Sequence, residues 1–297
     1  MSATVAPTDL YAELTTRNRG FVSAAAQQRL GTMTVLVAGC GSTGGAAVEP
    51  LVRVGVRRFL LAEPGDFEVS NLNRQSAFLH EVGLNKGIVA AGRIRAVDPQ
   101  ATASVQTEGI TADNVRAVVG AADVVIDGID VTERAGWVAK WHLHEAAARL
   151  GRPVVSGWDM AGTQYVRYYA YRPGSVPFDG ALTRAQVETA STWELMRRAV
   201  PMRMVPVEML QAARALVTGT ADEGLAQLVY ASMLFGAVAC RIVVAIAEGS
   251  RVRRHTLLSV DNAVRPRRER LSASVRKPVQ AALALRDLAM LRARADG

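Results

Sequence analysis

Short apolar runs alternate with longer stretches of helical periodicity along this chain. Residues 35–38 and 59–62 are apolar runs with a helix-like segment between them. Such runs are expected of parallel strands covered on both faces, and the spacing between them predicts a crossover helix. Upstream, residues 8–31 predict a helical lead-in that carries Arg17 and Arg19. Downstream, residues 88–97 are apolar at helical spacing, with arginines on the other face. Strands are predicted over 103–106 and 122–126, with a helix over 111–119 between them.

A helix over 133–150, a strand over 153–156 and an alternating, antiparallel-type strand over 165–171 follow. Helices are predicted over 184–199 and 206–217, interrupted by Pro201 and Pro206. The run 224–247 reads as an almost wholly apolar helix, 256–260 as a last strand and 279–294 as a basic helix. This order predicts an α/β fold: a Rossmann-like, mostly parallel sheet with helices on both faces, extended by antiparallel strands and a C-terminal basic helix. The chain divides into a helical arm (1–34), a main domain (35–270) with a variable, substrate-facing segment at 174–222, and the basic helix (271–297).

Composition narrows the setting. With 297 residues, 49% of them hydrophobic, the chain can bury a full core as one large domain or two small ones. No N-terminal stretch joins a basic start to an apolar core. The longest apolar run, 228–240, is too short to span a bilayer and is followed by Arg241. A cytoplasmic protein without membrane contact is expected. Cys40 and Cys240 cannot build a disulfide framework or a four-thiolate zinc site. The net charge of +8 sits in 251–297, where 12 Lys and Arg face 4 Asp and Glu. Such a region can hold RNA or an acidic protein, but no aromatic residues interleave its charges, which favours a solvated surface.

The candidate chemistry begins at Gly39, Gly41 and Gly44, which stand at G-x-G-x-x-G spacing between the first strand and its helix. Ser42 is small enough to keep the turn tight. Glycines there let backbone N–H groups approach a phosphate at the positive end of the helix. Glu63, at the end of the second strand, is placed to bind ribose hydroxyls. These features fit an NAD enzyme as well as an ATP enzyme. The next segment favours ATP used for adenylation, because Asn71, Asn73 and Arg74 follow closely and a guanidinium fork matches phosphate oxygens. Lys86 is one of only three lysines in an arginine-rich chain. Asp127 and Asp130 lie at the carboxyl end of the strand 122–126, where ligands bind in open α/β sheets.

The succession GCGSTGG, Glu63 with SNLNRQ, NKGIVAAGRIRAVDP, DVVIDGID and RPVVSGWD resembles the ThiF/MoeB-like adenylating enzymes, bacterial relatives of ubiquitin-activating enzyme. The resemblance runs from Arg17 to Val264, with little similarity over 172–222. It implies a nucleotide cradled by Gly39, Gly41 and Gly44, ribose hydroxyls on Glu63, and phosphates contacted by Asn71, Arg74 and Lys86. It also implies ATP with Mg²⁺ on Asp130, a hard cation that accepts one carboxylate plus phosphate oxygens. Arg19 is similar to the family's N-terminal arginine that enters the partner subunit's site, which implies a homodimer with Arg19 acting in trans. The implied substrate is a C-terminal carboxylate, on a small ubiquitin-like or sulfur-carrier protein or a peptide, meeting the sheet edge near Trp158, Asp159 and Gln164. In relatives, the segment equivalent to 174–222 closes over the carrier's C-terminal glycines.

Three departures from the family pattern stand out. Ser42-Thr43 replaces a glycine and an aliphatic residue, and Val131 replaces the asparagine that follows the metal-site aspartate. The zinc-binding Cys-x-x-Cys pairs of many relatives are absent, so no zinc is expected. Cys40 lies in the glycine turn and Cys240 in an apolar helix. The expected reaction is therefore adenylation without an internal thioester, the acyl-adenylate passing to a nucleophile supplied from outside. Val131 and the missing cysteines also fit a catalytically silent nucleotide-binding dimer partner. The basic C-terminus fits a tRNA-modifying relative.

Overall fold

In the computed structural model, residues 10–219 and 227–295 are described. The N-terminal half contains α1 (Leu10–Leu14), α2 (Ala24–Thr32), β1 (Thr34–Ala38), α3 (Ser42–Val54), β2 (Arg58–Ala62), α4 (Lys86–Val97) and β3 (Thr102–Gln106). Next come α5 (Val115–Gly120), β4 (Val124–Asp127), α6 (Arg134–Leu150), β5 (Val154–Met160) and β6 (Thr163–Tyr169). The remainder comprises α7 (Arg184–Thr189), α8 (Thr192–Ala199), α9 (Val207–Val217), α10 (Val229–Glu248), β7 (His255–Ser259), α11 (Val260–Val264) and α12 (Arg267–Ala295).

The seven strands form one sheet in the order β3-β2-β1-β4-β5-β6-β7. The first five run parallel, and β5-β6 and β6-β7 are antiparallel. The pleat sends alternate side chains to opposite faces, so Val35 and Val37 join α2, α3, α4 and α10 in one core cluster. Leu36 and Ala38 join α5, α6 and the 178–200 segment in the other. This is the doubly wound architecture that the order of apolar runs predicts. Helix α10 is long and apolar enough to cross a bilayer by length and composition, having 20 residues where the sequence shows an uninterrupted run of only 13. Ten of its residues are buried, packed against α3 and the β5-β6 hairpin, so the core accounts for its apolarity.

Several boundaries differ from expectation. The lead-in is two short helices, parted by a 3₁₀ turn at Thr16–Asn18, because Asn18 donates to Gln27 and to the Val54 carbonyl rather than continuing a helix; residues 8 and 9 lie outside the described residues. Tyr11 also donates to the carbonyls of Gln27 and Gly55, latching the arm onto the C-terminal end of α3. The helix expected over 111–119 begins at Val115, since Thr111 and Asn114 exchange side-chain and backbone hydrogen bonds ahead of it. The span 184–199 is two helices, because Ser191 accepts from the Glu194 N–H and caps α8 afresh. The last helix starts at Arg267 and runs through Pro278, crossing the expected boundary at 271. Its packing on α9 overrides the proline: Arg214 holds Asp287 at 2.7 Å and Gln280 at 2.8 Å, and Lys277 donates to the Arg203 carbonyl.

Candidate active site

The order of the strands switches sides between β1 and β4, opening a crevice beyond the carboxyl ends of the parallel strands. A cavity of about 600 Å³ occupies it. Gly39 turns the chain out of β1 at φ +82°, and a Cβ there would stand 2.4 Å from the Gly128 carbonyl oxygen, so only glycine lets the β1 and β4 ends approach. A Cβ on Gly44 would stand 1.9 Å from the Gly39 carbonyl oxygen. Gly44 thus packs α3 onto the strand end and, unlike Gly39 and Gly41, is not part of the cavity wall. Gly44→Ala is expected to cost about 1–3 kcal/mol of stability by overpacking, as thermal unfolding would show.

Glu63 ends β2 with its carboxylate buried against the glycine turn. It accepts the Cys40 N–H at 2.5 Å and the Gly65 N–H at 2.7 Å, leaving lone pairs free on the cavity side. Asn85 caps α4 and donates to the Glu63 carbonyl at 2.9 Å, which fixes Lys86 next to Glu63. Among the described residues neither Lys86 nor Arg74 has a carboxylate within 4 Å, and both line the cavity. Arg74 is instead held by neutral acceptors: the Ser70 carbonyl at 2.9 Å, Asn73 Oδ1 at 2.8 Å and the Gln227 side chain. Two aimed cations without carboxylate partners make an anion site. Asp130 lines the same cavity, one carboxylate oxygen accepting the Thr132 N–H at 2.9 Å.

Two residues do not come together with these. Asn71 closes its own 3₁₀ turn, accepting the Glu68 N–H at 3.2 Å, and is not part of the wall. Its amide orders the loop that presents Arg74. Arg19 is exposed beside the C-terminal end of α3, whose 13 residues span roughly 20 Å from the glycine turn. Within one chain it does not reach the cavity.

The Ser42-Thr43 departure has a structural counterpart. Ser42 donates to Asp159 Oδ2 at 2.7 Å, and Asp159 Oδ1 is buried on the cavity wall without a hydrogen-bond partner. Burial pushes the Asp159 carboxyl up, while hydrogen bonds from Ser42, Thr43 and Gln164 and the charge of Arg74 pull it down. Both thiols are held up as well. Cys40 is raised by burial and by the Glu63 carboxylate, and Cys240 is pushed to about 11 by burial, so each is a neutral thiol at pH 7.

Sequence reasoning missed a buried polar cluster behind Asp130. Asp127, fully buried at the end of β4, meets Lys140 Nζ at 2.6 Å, His144 Nε2 at 3.0 Å and Ser156 Oγ at 2.8 Å. The Tyr171 hydroxyl accepts the Phe178 N–H and lies 2.8 Å from His144 Nδ1. Burial alone would raise Asp127, yet Lys140 and His144 hold it well below the usual carboxylate range. Burial lowers His144, which stays neutral. The rarity of lysine that singles out Lys86 would have flagged Lys140 too. Also missed was Arg134, whose guanidinium donates to the carbonyls of Val187 and Ala190, both at 2.6 Å, and ties the 174–219 segment to the start of α6.

Residues 15–244 match the ThiF family. The chain belongs to that family. It is 33% identical over 132 residues to the sulfur carrier protein adenylyltransferase of Thermus thermophilus, covering 44% of this chain and 47% of that one. Among solved structures, PaaA superposes with a TM-score of 0.63 at 18% identity, over 88% of this chain and 83% of that one. The Escherichia coli tRNA N6-threonylcarbamoyladenosine dehydratase TcdA, in complex with ATP, superposes with a TM-score of 0.58 at 22% identity, over 82% and 98%. These two likenesses concern the fold. The ThiF-family chain spans half or less of the length of the curated relatives it matches first.

Proposed function

We propose that this ThiF-family chain adenylates the C-terminal carboxylate of a small protein or peptide, using ATP and Mg²⁺ and releasing pyrophosphate. The observation that carries this reading is the placement of Arg74 and Lys86, cations without carboxylate partners among the described residues, around one cavity with the glycine turn, Glu63 and Asp130. A hydride-transfer enzyme has no need of two such cations.

In this reading the backbone of the glycine turn and the N-terminus of α3 hold phosphate oxygens, and Glu63 accepts hydrogen bonds from ribose hydroxyls. A carboxylate oxygen attacks the α-phosphorus, a P–O bond forms, and the bond to pyrophosphate breaks. Two anions meet and charge grows on the leaving group, so Arg74 and Lys86 lower the barrier by offsetting both. The residues present fit a magnesium ion held through phosphate: Asp130 offers one carboxylate, and Mg²⁺ in nucleotide sites takes one or two. The ion would neutralise the leaving pyrophosphate. With both thiols neutral, the acyl-adenylate passes to an external nucleophile. The distance of Arg19 from its own cavity fits a role in a partner's site within a homodimer. The sulfur-carrier adenylyltransferase among its relatives supports a small-protein substrate.

ATP–pyrophosphate exchange with candidate carriers and peptides tests the reading. Exchange that depends on a free C-terminal carboxylate is expected. ATP binding without exchange for any carboxylate would make the chain a silent partner subunit, and NADH binding in place of ATP would make it an oxidoreductase.

A further inference from the structure

The cavity has two chemically different ends. Strand order places Glu63 just past β2 and Trp158, Asp159 and Met160 on β5, three strand spacings apart, or roughly 14 Å. The β2 end, with Glu63 and Lys86, suits the nucleotide. Toward β5 the wall carries Trp158 and Met160; Trp193, Met196 and Met209 also line the cavity, and the small side chains of Ala213 and Ala284 leave room in it. Ala284 belongs to α12, so the C-terminal helix is part of the wall. The proposed chemistry at the phosphate makes no use of this end.

Two orphaned polar atoms belong to consecutive residues of β5. Trp158 Nε1 is a buried donor and Asp159 Oδ1 a buried acceptor, and neither has a hydrogen-bond partner among the described residues. A buried polar group left unpaired costs about 1–3 kcal/mol.

We propose that the β5 end is a side-chain subsite for the terminal residue of the peptide to be activated, and that this residue is large and apolar, such as Leu, Met or Phe, rather than glycine. The inference rests on the adenylation reading for the position of the carboxylate. A glycine terminus would leave a wall of indole and thioether groups facing nothing, forfeiting their dispersion contacts. A large apolar side chain fills it, and methionines adapt their shape to what arrives. Arg197, which lines the same wall with no carboxylate within 4 Å among the described residues, adds a positive charge that favours an acid.

The test is calorimetric titration of the full chain, saturated with a non-hydrolysable ATP analogue, with N-acetylated tripeptides that differ only in a C-terminal Gly, Leu or Phe. Wild type is expected to bind the Leu and Phe peptides at least about tenfold more tightly than the Gly peptide. Ala213→Phe, which fills the subsite, is expected to flatten that order, with analogue binding showing that the variant is folded. Equal affinities, or tightest binding of the Gly peptide, overturn the proposal. Pyrophosphate exchange on the same peptides separates the two readings. Ordered binding without exchange keeps the subsite and removes adenylation, whereas exchange confined to the Gly peptide keeps adenylation and removes the subsite.

Discussion

Arg74→Ala is expected to slow ATP–pyrophosphate exchange by on the order of 10³-fold, the scale of losing one arginine from a phosphoryl-transfer site. That corresponds to about 4 kcal/mol of transition-state stabilisation. The size follows from how the side chain is held. Its neighbours Ser70, Asn73 and Gln227 accept from Nε and Nη1 and fix the plane of the guanidinium, but none carries a negative charge. Orientation is therefore paid in the folded state, while the charge still awaits an anion. Stability should change by no more than about 1 kcal/mol, because the lost bonds lie at a half-exposed position. Arg74→Lys keeps the charge without the planar fork, and its rate should fall between the two. Exchange within tenfold of wild type in Arg74→Ala would show that the α-phosphate is served from elsewhere.

Much of this arrangement is legible in the sequence because it rests on local rules. The apolar runs at β1, β2 and β4, the glycine spacing and the acid that ends β2 are each set within a few residues, and together they define the crevice. Lys86 and Asp130 follow because one opens α4 and the other comes just after β4, and Arg74 follows from the polar segment after β2. What escaped depends on contacts between distant segments. Asp127 and Lys140 belong to one buried cluster only because α6 packs back on the sheet, and Ser42 is explained only by Asp159, 117 positions away. Asn71 lies off the cavity wall for a local reason: its side chain is engaged by its own turn. The walls of the apolar compartment come from α8, α9 and α12, whose arrangement no periodicity in the sequence reveals.

Lys140→Met is expected to destabilise the protein by about 3–5 kcal/mol, the range for removing one partner of a buried ion pair. For a chain of this size that is a fall on the order of 10 °C in Tm. Both side chains are almost wholly buried, so water cannot solvate the Asp127 carboxylate left behind. The double variant Asp127→Asn/Lys140→Met, which removes both charges, should recover much of the loss. The effect of pH gives a second signature. In wild type, burial holds His144 below its ordinary value, so the unfolded chain binds the extra proton. Stability is then present above about pH 6.5 and declines as pH falls through the imidazole range; Asp127, held low, adds a further loss below the ordinary carboxylate range. Without Lys140, the imidazole 3.0 Å from Asp127 becomes the only neighbouring cation available. Its folded pKa should rise above the unfolded value, so its contribution is present at low pH and lost as pH rises. The gap in Tm between variant and wild type should therefore narrow from pH 8 to pH 5.5, and a gap independent of pH would show that His144 does not replace the lysine. Exchange activity should fall in the same variant, because Asp127 Oδ1 also accepts the Ile129 N–H at 3.3 Å and so shapes the turn that carries Asp130. The cluster thus links the stability of the sheet edge to the position of the residue proposed to hold the metal.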